Sequence, residues 1–420
     1  MNARAPLAIC SAVRTPFARM FGMLRGIPAD ELARIVLREA LARAGASGEE
    51  LDEVIVGCAG PPVEAMNLAR VAALRAQIPQ RVPAVTVHRN CASGLEAIHA
   101  ALLRVRADEG HAYLVGGVES MSEAPFQLDP AGMRAMVEVA RQRSTLGKLS
   151  AFWRARWSTL LPKPSLRAAL TDAISGLLMG DTAEVLAREF AISREDQDAF
   201  AARSQERARQ ARDSGFLAGE IVPVVGPARS DKPFAVDDGI RDDATVEKLA
   251  RLKPVFDRRF GTVTVGNACQ VTDGGAAMLV ASEAQAQRRS WPVLAHVLDV
   301  VSVGCDPRRM GLGPAVAIPA LLARHGLRAA DVDLFEINEA FAVQVLACLR
   351  QWGDQAPGPD RLNVNGGAIA LGHPVGASGV RIVLTLARAL RQRGLKRGIA
   401  SLCVGGGQGV AALVEIPEGT

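Results

Sequence analysis

Two stretches of similar sequence place a cysteine and a histidine at matching positions. Residues 40–57 and residues 321–338 both read as a helix that ends at a glycine, followed by an apolar strand. Cys91 stands thirty-four residues beyond the first stretch, and His373 stands thirty-five residues beyond the second. A duplicated pair of half-domains can bring equivalent strand ends to one cleft, which would place a thiol opposite an imidazole. Such a pair is the nucleophile and base of covalent catalysis.

The local sequence around Cys91 is strand, turn and helix, with the helix predicted to begin at Ser93. A thiol at a helix N-terminus feels partial positive charge, so we expect a lowered pKa and a reactive thiolate. The alternative is a buried structural cysteine, which the strand–turn–helix context and the repeat disfavour. His373 lies in a glycine-dense turn, residues 363–379, which favours base chemistry over a structural histidine. The same glycines do not form a phosphate loop, because Gly-x-x-x-x-Gly-Lys-Ser/Thr is absent.

Two further polar residues end predicted strands of the second stretch. Cys403, in Leu-Cys-Val-Gly-Gly-Gly, is a second thiol before a glycine run. Asn338, in Asn-Glu-Ala-Phe, carries an amide that can hold a water or donate to a developing oxyanion. Each signal is weak alone, but four reactive side chains at strand ends of a duplicated sheet predict a catalytic cleft.

Composition excludes several classes of protein. The 420 residues are 49% hydrophobic, enough for more than one core. Seven cysteines without a Cys-x-x-Cys pair argue against a disulfide framework or a metal site and favour a reducing compartment. No signal peptide or run of about 18 apolar residues is seen, so we expect a soluble, cytoplasmic protein. Residues 139–171 hold seven basic and no acidic side chains, so the rest of the chain has a net charge of −2 against a total of +5. The positive charge is therefore local, which gives a nucleic-acid-binding function little support.

The order of predicted elements indicates an α/β fold with an insertion. Apolar strands alternate with amphipathic helices up to residue 121, and the same rhythm resumes from residue 292. We therefore predict a first half formed by 1–121 and 254–291, an inserted loop domain over 122–253, and a second half over 292–420. The predicted strands are 7–11, 54–57, 85–88, 112–116, 261–265 and 276–281, and the predicted helices are 30–44, 66–76, 93–107, 181–190 and 193–214.

The sequence resembles the thiolase family, of the acetyl-CoA acyltransferase type, over nearly its whole length. The motifs that carry the resemblance are Asn-Cys-Ala-Ser-Gly-Leu (90–95), Gly-Gly-Val-Glu-Ser-Met-Ser (116–122), Met-Gly-Asp-Thr-Ala-Glu (179–184), Asn-Glu-Ala-Phe (338–341), Gly-Gly-Ala-Ile-Ala-Leu-Gly-His-Pro (366–374) and Cys-Val-Gly-Gly-Gly-Gln-Gly (403–409). The related ketoacyl synthases use Cys-His-His or Cys-His-Asn, so the second cysteine favours thiolases. The resemblance implies two duplicated βαβαβαββ halves in five αβαβα layers, with an inserted loop domain.

The resemblance also implies a role for each reactive residue. Cys91 would accept the acyl group as a thioester, and His373 would take its proton and help to bind the thioester oxygen. Asn338 would hold a water at that oxyanion site. Cys403 would move the proton at acetyl C2, and the amides of Cys91 and Gly405 would form a second oxyanion hole. No metal or permanently bound cofactor is expected, with coenzyme A and acyl-CoA as substrates.

Further positions match the family's coenzyme contacts. Arg241 and Lys248 match loop residues that meet coenzyme A, while Met179, Ala340 and Phe341 match positions that line the pantetheine tunnel. Three positions depart from the family pattern, and they bear on the substrate contacts rather than on the reaction. His88 replaces an Asn, Leu178 replaces the His of short-chain enzymes, and Cys269 replaces a Ser near the coenzyme.

The basic stretch narrows the expected function. The stretch carries apolar residues at helical spacing, interleaved with Arg154 and Arg156: Leu149, Phe152, Trp153, Trp157, Leu160 and Leu161. This pattern is typical of an amphipathic helix that binds a membrane surface or the groove of a partner protein. The alternative is a helix packed on its own catalytic domain. The long insertion resembles the thiolase subunit of fatty-acid oxidation complexes. This favours thiolysis of medium- or long-chain 3-ketoacyl-CoA in β-oxidation. We also expect membrane contact through 148–163, assembly into a homodimer or homotetramer, and a hydratase/dehydrogenase partner subunit. The alternatives are acetoacetyl-CoA synthesis from two acetyl-CoA, and a non-catalytic acyl-CoA carrier or scaffold.

Overall fold

The structure is a computed structural model that describes residues 5–154, 157–226 and 232–417. Its contacts divide the chain into two compact units. The larger unit comprises Met1–Glu123 and Asp172–Thr420, and the smaller unit is Ala124–Thr171. The predicted division at 121, 253 and 291 differs from this one, because residues 172–253 pack with the larger unit. The assignment of the two halves therefore stays a prediction.

The helices and strands follow the expected alternation. The strands are β1 Leu7–Arg14, β2 Ala18–Arg19, β3 Glu53–Gly57, β4 Ala84–Val87, β5 Ala112–Glu119, β6 Phe126–Gln127, β7 Lys163–Pro164, β8 Thr272–Ser282, β9 Ala295–Gly304, β10 Leu334–Ile337, β11 Arg397–Val404 and β12 Gln408–Glu415. The α-helices are α1 Ala29–Ala44, α2 Leu68–Arg75, α3 Ser93–Ala107, α4 Pro130–Arg141, α5 Thr145–Arg154, α6 Trp157–Leu160, α7 Ser165–Ala169, α8 Met179–Glu189, α9 Arg194–Asp213, α10 Val246–Leu249, α11 Glu283–Arg289, α12 Gly313–His325, α13 Ala342–Trp352, α14 Ala368–Leu371 and α15 Ser378–Gln392.

The strands of the larger unit form a mixed sheet that displays the duplication. The order is β10-β11-β12-β9-β1-β8-β5-β3-β4, and β2 pairs with β8. Outward from the centre, β1, β8, β5 and β3 correspond to β9, β12, β11 and β10. In both series the first two pairings are antiparallel and the third is parallel. The predicted duplication is confirmed, and the pairing of β1 with β9 joins the two half-sheets.

Helices cover both faces of each half-sheet. α3 and α15 contact each other and pack on the strands of their own halves, while α1 and α2 cover the opposite face of the first half and α12 that of the second. Separate apolar cores fill these interfaces. The corresponding helices α1 and α12 both end at glycines in the left-handed region, Gly45 with φ 64° and Gly326 with φ 62°. The layers are therefore helix, sheet, helix, sheet, helix, as predicted.

One predicted strand of the larger unit is wrong. Residues 261–265 are irregular backbone, although four of the five carry branched side chains, Thr262, Val263, Thr264 and Val265. The carboxylate of Glu184 accepts hydrogen bonds from the amides of Thr262 and Val263, 2.9 Å each. These side-chain bonds take the place of a strand partner. The segment is thus fixed to α8 rather than to the sheet.

The smaller unit is helical, as the basic stretch predicted. It contains α4 to α7, with the short strands β6 and β7 paired antiparallel. Leu149, Trp153 and Leu161 are exposed. Arg156 and the side chain of Trp157 lie outside the described residues. Across the described ranges of the whole chain, no helix combines the length and apolar character needed to cross a bilayer.

Candidate active site

Cys91 lies in a tight turn between β4 and α3. Asn90 has a positive φ of 42°, which reverses the chain within the turn. The hydroxyl of Ser93 accepts from the amide of Arg89 at 2.9 Å and donates to the carbonyl of Asn90 at 2.7 Å. These bonds fix a partly buried Cys91 two residues before the first residue of α3.

The expectation of a lowered thiol pKa is wrong for this site. Burial raises the pKa of Cys91 above its ordinary value, while hydrogen bonds from the backbone amides of Gly405 and of Cys91 itself lower it. The buried carboxyl of Glu119 adds a further increase. Because loss of solvation outweighs the amide dipoles, the resting side chain is a thiol. It therefore needs a base to become a nucleophile.

The loop that carries His373 packs against the start of α3. A Cβ on Gly94 would lie 2.6 Å from the carbonyl oxygen of Gly376, so only hydrogen fits at that position. The buried carboxylate of Glu119, at the end of β5, accepts the amides of Gly376 at 2.9 Å and of Gly60 at 2.9 Å. One acid thus joins loops of the first half to the histidine loop of the second. The two halves meet next to Cys91.

His373 is buried and is held as the tautomer that can accept a proton. Its Nδ1 lies 2.6 Å from the hydroxyl of Ser378, and that hydroxyl donates to the carbonyl of Pro374 at 3.0 Å. The hydroxyl hydrogen is therefore used, so Nδ1 is the donor and Nε2 carries the lone pair. Nε2 has no partner among the described residues. Burial, and secondarily the charge of Arg381, lowers the pKa of His373 to about 3, which keeps the ring neutral.

Asn338 lies at the end of β10, beside the strand that carries Cys403. Its backbone N–H donates to the carbonyl of Ser401, on the neighbouring strand β11, at 2.9 Å. Its Oδ1 accepts from Arg381 at 3.5 Å, and Arg381 also pairs with the buried Glu336 at 2.6 Å. The side-chain amide nitrogen of Asn338 is buried and unpartnered in the described part of the chain. It is thus free to donate to a substrate oxygen or a water.

Cys403 is a buried thiol that interacts electrostatically with Cys91. Burial raises its pKa well above the ordinary value, and the nearby thiols of Cys91, Cys348 and Cys269 raise it further. A protonated thiol at this position can supply a proton to carbon, and the resulting thiolate can take one back. All seven cysteines of the chain are free.

The residues matched to the pantetheine tunnel gather in one apolar cluster. Ala340, Phe341 and Cys403 belong to it, and Met179 packs against its edge. Cys269 is bound to the same segment, since its amide donates to the carbonyl of Ala340 at 3.0 Å. The Met179 sulfur lies near Gly405, 3.3 Å from the place of an added Cβ. These residues therefore lie together beside the Gly405 loop, and their contact with the pantetheine arm stays a prediction.

The two cations matched to coenzyme contacts lie outside this cluster. The amide of Arg241 donates to Gln205 at 2.8 Å. Lys248, in α10, is exposed and pairs with Asp243 at 2.7 Å. Their assignment to the coenzyme stays a prediction. The altered position Leu178 precedes α8 as its N-cap residue, next to Met179.

Sequence reasoning missed the residues that support the reactive groups. Ser378 orients His373, Glu119 joins the loops, Arg381 holds Asn338, and Asn90 shapes the turn of Cys91. Asn90 and Glu119 lie within the family motifs and Ser378 lies in the glycine-dense turn 363–379, so their polar side chains were an available signal. Arg381 acts through burial, which no local pattern gives. Within the described ranges, no group of three or more His, Cys, Asp or Glu is placed to hold a metal ion.

Comparison with known proteins finds relatives in both sequence and architecture. The family model described as thiolase, N-terminal domain matches residues 7–284, and the model described as thiolase, C-terminal domain matches 291–416. An acetyl-CoA acetyltransferase of Pseudomonas aeruginosa is 41% identical over 407 residues, covering 96% of this chain and 98% of that protein. A beta-ketoadipyl-CoA thiolase of the same organism is 42% identical over 410 residues, covering 97% and 98%. The crystal structure of human mitochondrial 3-ketoacyl-CoA thiolase in complex with CoA superposes with a TM-score of 0.87 at 38% identity, covering 98% of both chains.

Proposed function

The chain belongs to the thiolase family, and from that premise we propose that it cleaves 3-ketoacyl-CoA with free CoA through an acyl-Cys91 intermediate. It is an enzyme, a thiolase-type acyl-CoA acyltransferase that uses coenzyme A substrates. The observation that supports the acyl-cysteine route is the pair of buried, unpartnered atoms, Nε2 of His373 and Nδ2 of Asn338. Buried polar atoms without partners are costly. The lone pair of Nε2 can accept the proton of the Cys91 thiol, and the amide of Asn338 can donate to a water or a substrate oxygen. The alternative of a non-catalytic carrier is not retained.

In the proposed first step, Nε2 of His373 takes the proton of the Cys91 thiol as the sulfur attacks the 3-keto carbon. The 3-keto oxygen gains charge in this attack and would be bound by the backbone amides of Cys91 and Gly405. The imidazolium formed would donate its new N–H to the thioester oxygen of the substrate, together with a water held by the side-chain amide of Asn338. The C2–C3 bond breaks, and its electron pair leaves as the enolate of acetyl-CoA. Cys403 protonates that enolate at C2, which releases acetyl-CoA and leaves the acyl group on Cys91.

In the second step, the thiol of free CoA gives its proton to Cys403 and attacks the acyl-Cys91 carbonyl. The oxygen of this second tetrahedral intermediate would be bound by the backbone amides of Cys91 and Gly405. The carbon–sulfur bond to Cys91 breaks, and the sulfur recovers its proton from His373. The product is an acyl-CoA shortened by two carbons, and both thiols return to their starting state.

The direction of the reaction gives a second candidate function. The same groups, used in reverse, join two acetyl-CoA into acetoacetyl-CoA and CoA. This candidate is supported by relatives named acetyl-CoA acetyltransferase. Initial rates of cleavage and condensation, measured on the same preparation, separate the two. The primary proposal requires cleavage of 3-ketoacyl-CoA at one chain length at least, and no cleavage at any length would overturn it.

We further propose a medium- or long-chain substrate and a place in β-oxidation. Support comes from the exposed apolar residues of the smaller unit, described above, and from the seven basic residues of 139–171, a stretch without an acidic residue. Because other relatives are named beta-ketoadipyl-CoA thiolase, the substrate panel must also contain 3-ketoadipyl-CoA. A kcat/KM that rises with acyl length supports the proposal, and a maximum at acetoacetyl-CoA or 3-ketoadipyl-CoA would contradict it.

We also propose that the protein is cytoplasmic, forms a homodimer or homotetramer, binds a hydratase/dehydrogenase subunit and contacts anionic membranes through 148–163. Sedimentation with vesicles of anionic phospholipid tests the membrane contact. The Lys148→Glu/Lys163→Glu variant should lose vesicle binding, whereas the control Arg251→Glu/Arg288→Glu should keep it. Equal binding of both variants would exclude this surface. Light scattering coupled to gel filtration measures the oligomer.

A further inference from the structure

We infer that Asn90 is a positioning residue that holds the Gly405 loop against Cys91, and that His88 holds Asn90 in the required orientation. The inference rests on the proposed function, because it assigns Asn90 to the acyl transfer at Cys91. Both residues lie in the turn before α3, and His88 is one of the positions that depart from the family pattern. Neither side chain has a role in the chemical steps described above.

The orientation of the Asn90 amide is fixed by its two partners. Its Nδ2 donates to the carbonyl oxygen of Gly405 at 2.8 Å, and a carbonyl oxygen can only accept. Oδ1 must therefore face the other way, where the Nε2 of His88 lies at 2.9 Å. Because Oδ1 also only accepts, Nε2 of His88 carries a hydrogen. His88 thus prevents the amide from turning its oxygen toward Gly405.

Gly405 belongs to a loop that needs such support. It is followed by Gly406 and Gly407, which have φ values of 87° and 76°. Glycines in this region have few intrinsic restraints, so their position depends on external contacts. At Gly407, the carbonyl accepts a hydrogen bond from the amide of Cys305 at 2.8 Å. At Gly405, the hydrogen bond from Asn90 provides the second restraint on the loop.

Asn90 and Cys91, adjacent in the chain, bind the two polar groups of the same glycine. The carbonyl of Gly405 accepts from Asn90, and the amide of Gly405 donates to the sulfur of Cys91. The side chain of Asn90 therefore sets the distance between that amide and the sulfur. When the acyl group is on Cys91, the same amide is in place to donate to its carbonyl oxygen. A loosened loop would weaken this hydrogen bond without removing any reacting group.

The backbone of Asn90 provides a clean test of its side chain. Its φ of 42° is tolerated by asparagine and by glycine, but strained for alanine. Asn90→Gly therefore removes the side-chain hydrogen bond to the Gly405 carbonyl and keeps the backbone turn. Asn90→Asp keeps the size of the side chain but replaces the donor with a carboxylate, which cannot bind the Gly405 carbonyl. Both variants should fold, and their thermal midpoints should report whether they do.

We expect kcat of thiolysis to fall about tenfold or more in Asn90→Gly and Asn90→Asp, since removing one oxyanion donor outright costs about 10²–10³ in kcat. KM for free CoA should stay within about threefold, because the CoA-binding positions are untouched. Alkylation of Cys91 by iodoacetamide, followed by peptide mass, should show its pH midpoint shifted upward in both variants. A kcat within twofold of the parent, with an unchanged alkylation profile, would overturn the inference.

The role of His88 is tested by a conservative pair. His88→Ala should lower kcat about two- to fivefold, the effect of a net hydrogen bond at an exposed position. His88→Gln, whose side-chain amide can donate to Asn90, should restore most of the loss. His111→Ala removes an exposed histidine elsewhere and serves as the matched control. Equal rates for His88→Ala and His88→Gln would exclude the orienting role.

Failure of this inference is distinguishable from failure of the proposed function. If the parent enzyme shows no cleavage of any 3-ketoacyl-CoA, the proposed function fails. The alkylation profile of Cys91 would still measure the contact between Asn90 and the Gly405 loop. If the parent cleaves substrate and both Asn90 variants behave like it, only the positioning role is refuted.

Discussion

Replacing Ser378 with alanine should keep the His373 ring in place but remove the hydrogen bond that makes its Nε2 a base. The hydroxyl of Ser378 accepts from Nδ1 at 2.6 Å, and this bond keeps the lone pair on Nε2. Without the hydroxyl, the productive tautomer buries an unpaired N–H. The ring then favours the tautomer with its hydrogen on Nε2, which cannot take the proton of Cys91. The variant retains the nucleophile, the base and both oxyanion sites.

The size of the effect follows from the cost of that unpaired donor. A buried donor left without a partner costs about 1–3 kcal/mol, which corresponds to a kcat lowered about 5-fold to about 150-fold. Steady-state thiolysis measures kcat, and the alkylation rate of Cys91 at neutral pH should fall with it. Ser11→Ala is the matched control, because the buried Ser11 hydroxyl likewise donates to a backbone carbonyl, that of Ala40, at 2.5 Å. Ser378→Ala with kcat within twofold of the parent, and an unchanged melting midpoint, would show that the hydroxyl does not set the tautomer of His373.

Three further outcomes are expected. Cys91→Ala should abolish turnover, and intact mass after mixing with acyl-CoA should show no adduct; an adduct of unchanged stoichiometry would place the acyl group elsewhere. His373 has a folded pKa of about 3, below its unfolded value, so the folded protein binds fewer protons and loses stability as pH falls from about 6.5 to about 3. His373→Gln should flatten that part of the stability profile, as measured by urea unfolding at several pH values, and an unchanged slope would argue against a buried neutral ring. Arg14→Met leaves the buried Glu220 and Asp237 unpaired and should lower the free energy of unfolding by about 3–5 kcal/mol in urea titrations, whereas a loss below 1 kcal/mol would contradict this account.

The sequence predicted elements best where their ends are set locally. The helix expected over 93–107 matches α3 in both bounds, and the helix expected from residue 30 begins at Ala29. Both α1 and α12 end at glycines whose left-handed conformation can be anticipated from residue type. The irregular segment 261–265 was missed because its amides bind Glu184, far away in the chain. No local pattern contains that contact.

In the candidate site, too, some features follow from local sequence and others depend on distant contacts. The proposal of Cys91 and His373 as nucleophile and base follows from motifs, because glycine-rich turns can be recognised in the sequence. The direction of the Cys91 pKa does not, since it depends on how completely neighbouring segments exclude water. The tautomer of His373 depends on a second bond, from Ser378 to Pro374, that only the folded turn supplies. Candidate reactive residues can thus be proposed from the sequence, whereas their protonation states require the packed structure.

The central position of β1 has a consequence for synthesis on the ribosome. Leu7, near the start of the chain, pairs with Ser282 on one side and Val297 on the other. At translation rates of about 5–20 residues per second, these partners emerge roughly 15 to 55 s after β1. During that interval an apolar strand has both hydrogen-bonding edges open, as in an unprotected template for aggregation. The nascent chain should therefore depend on chaperone binding near its N-terminus until β8 and β9 have been made.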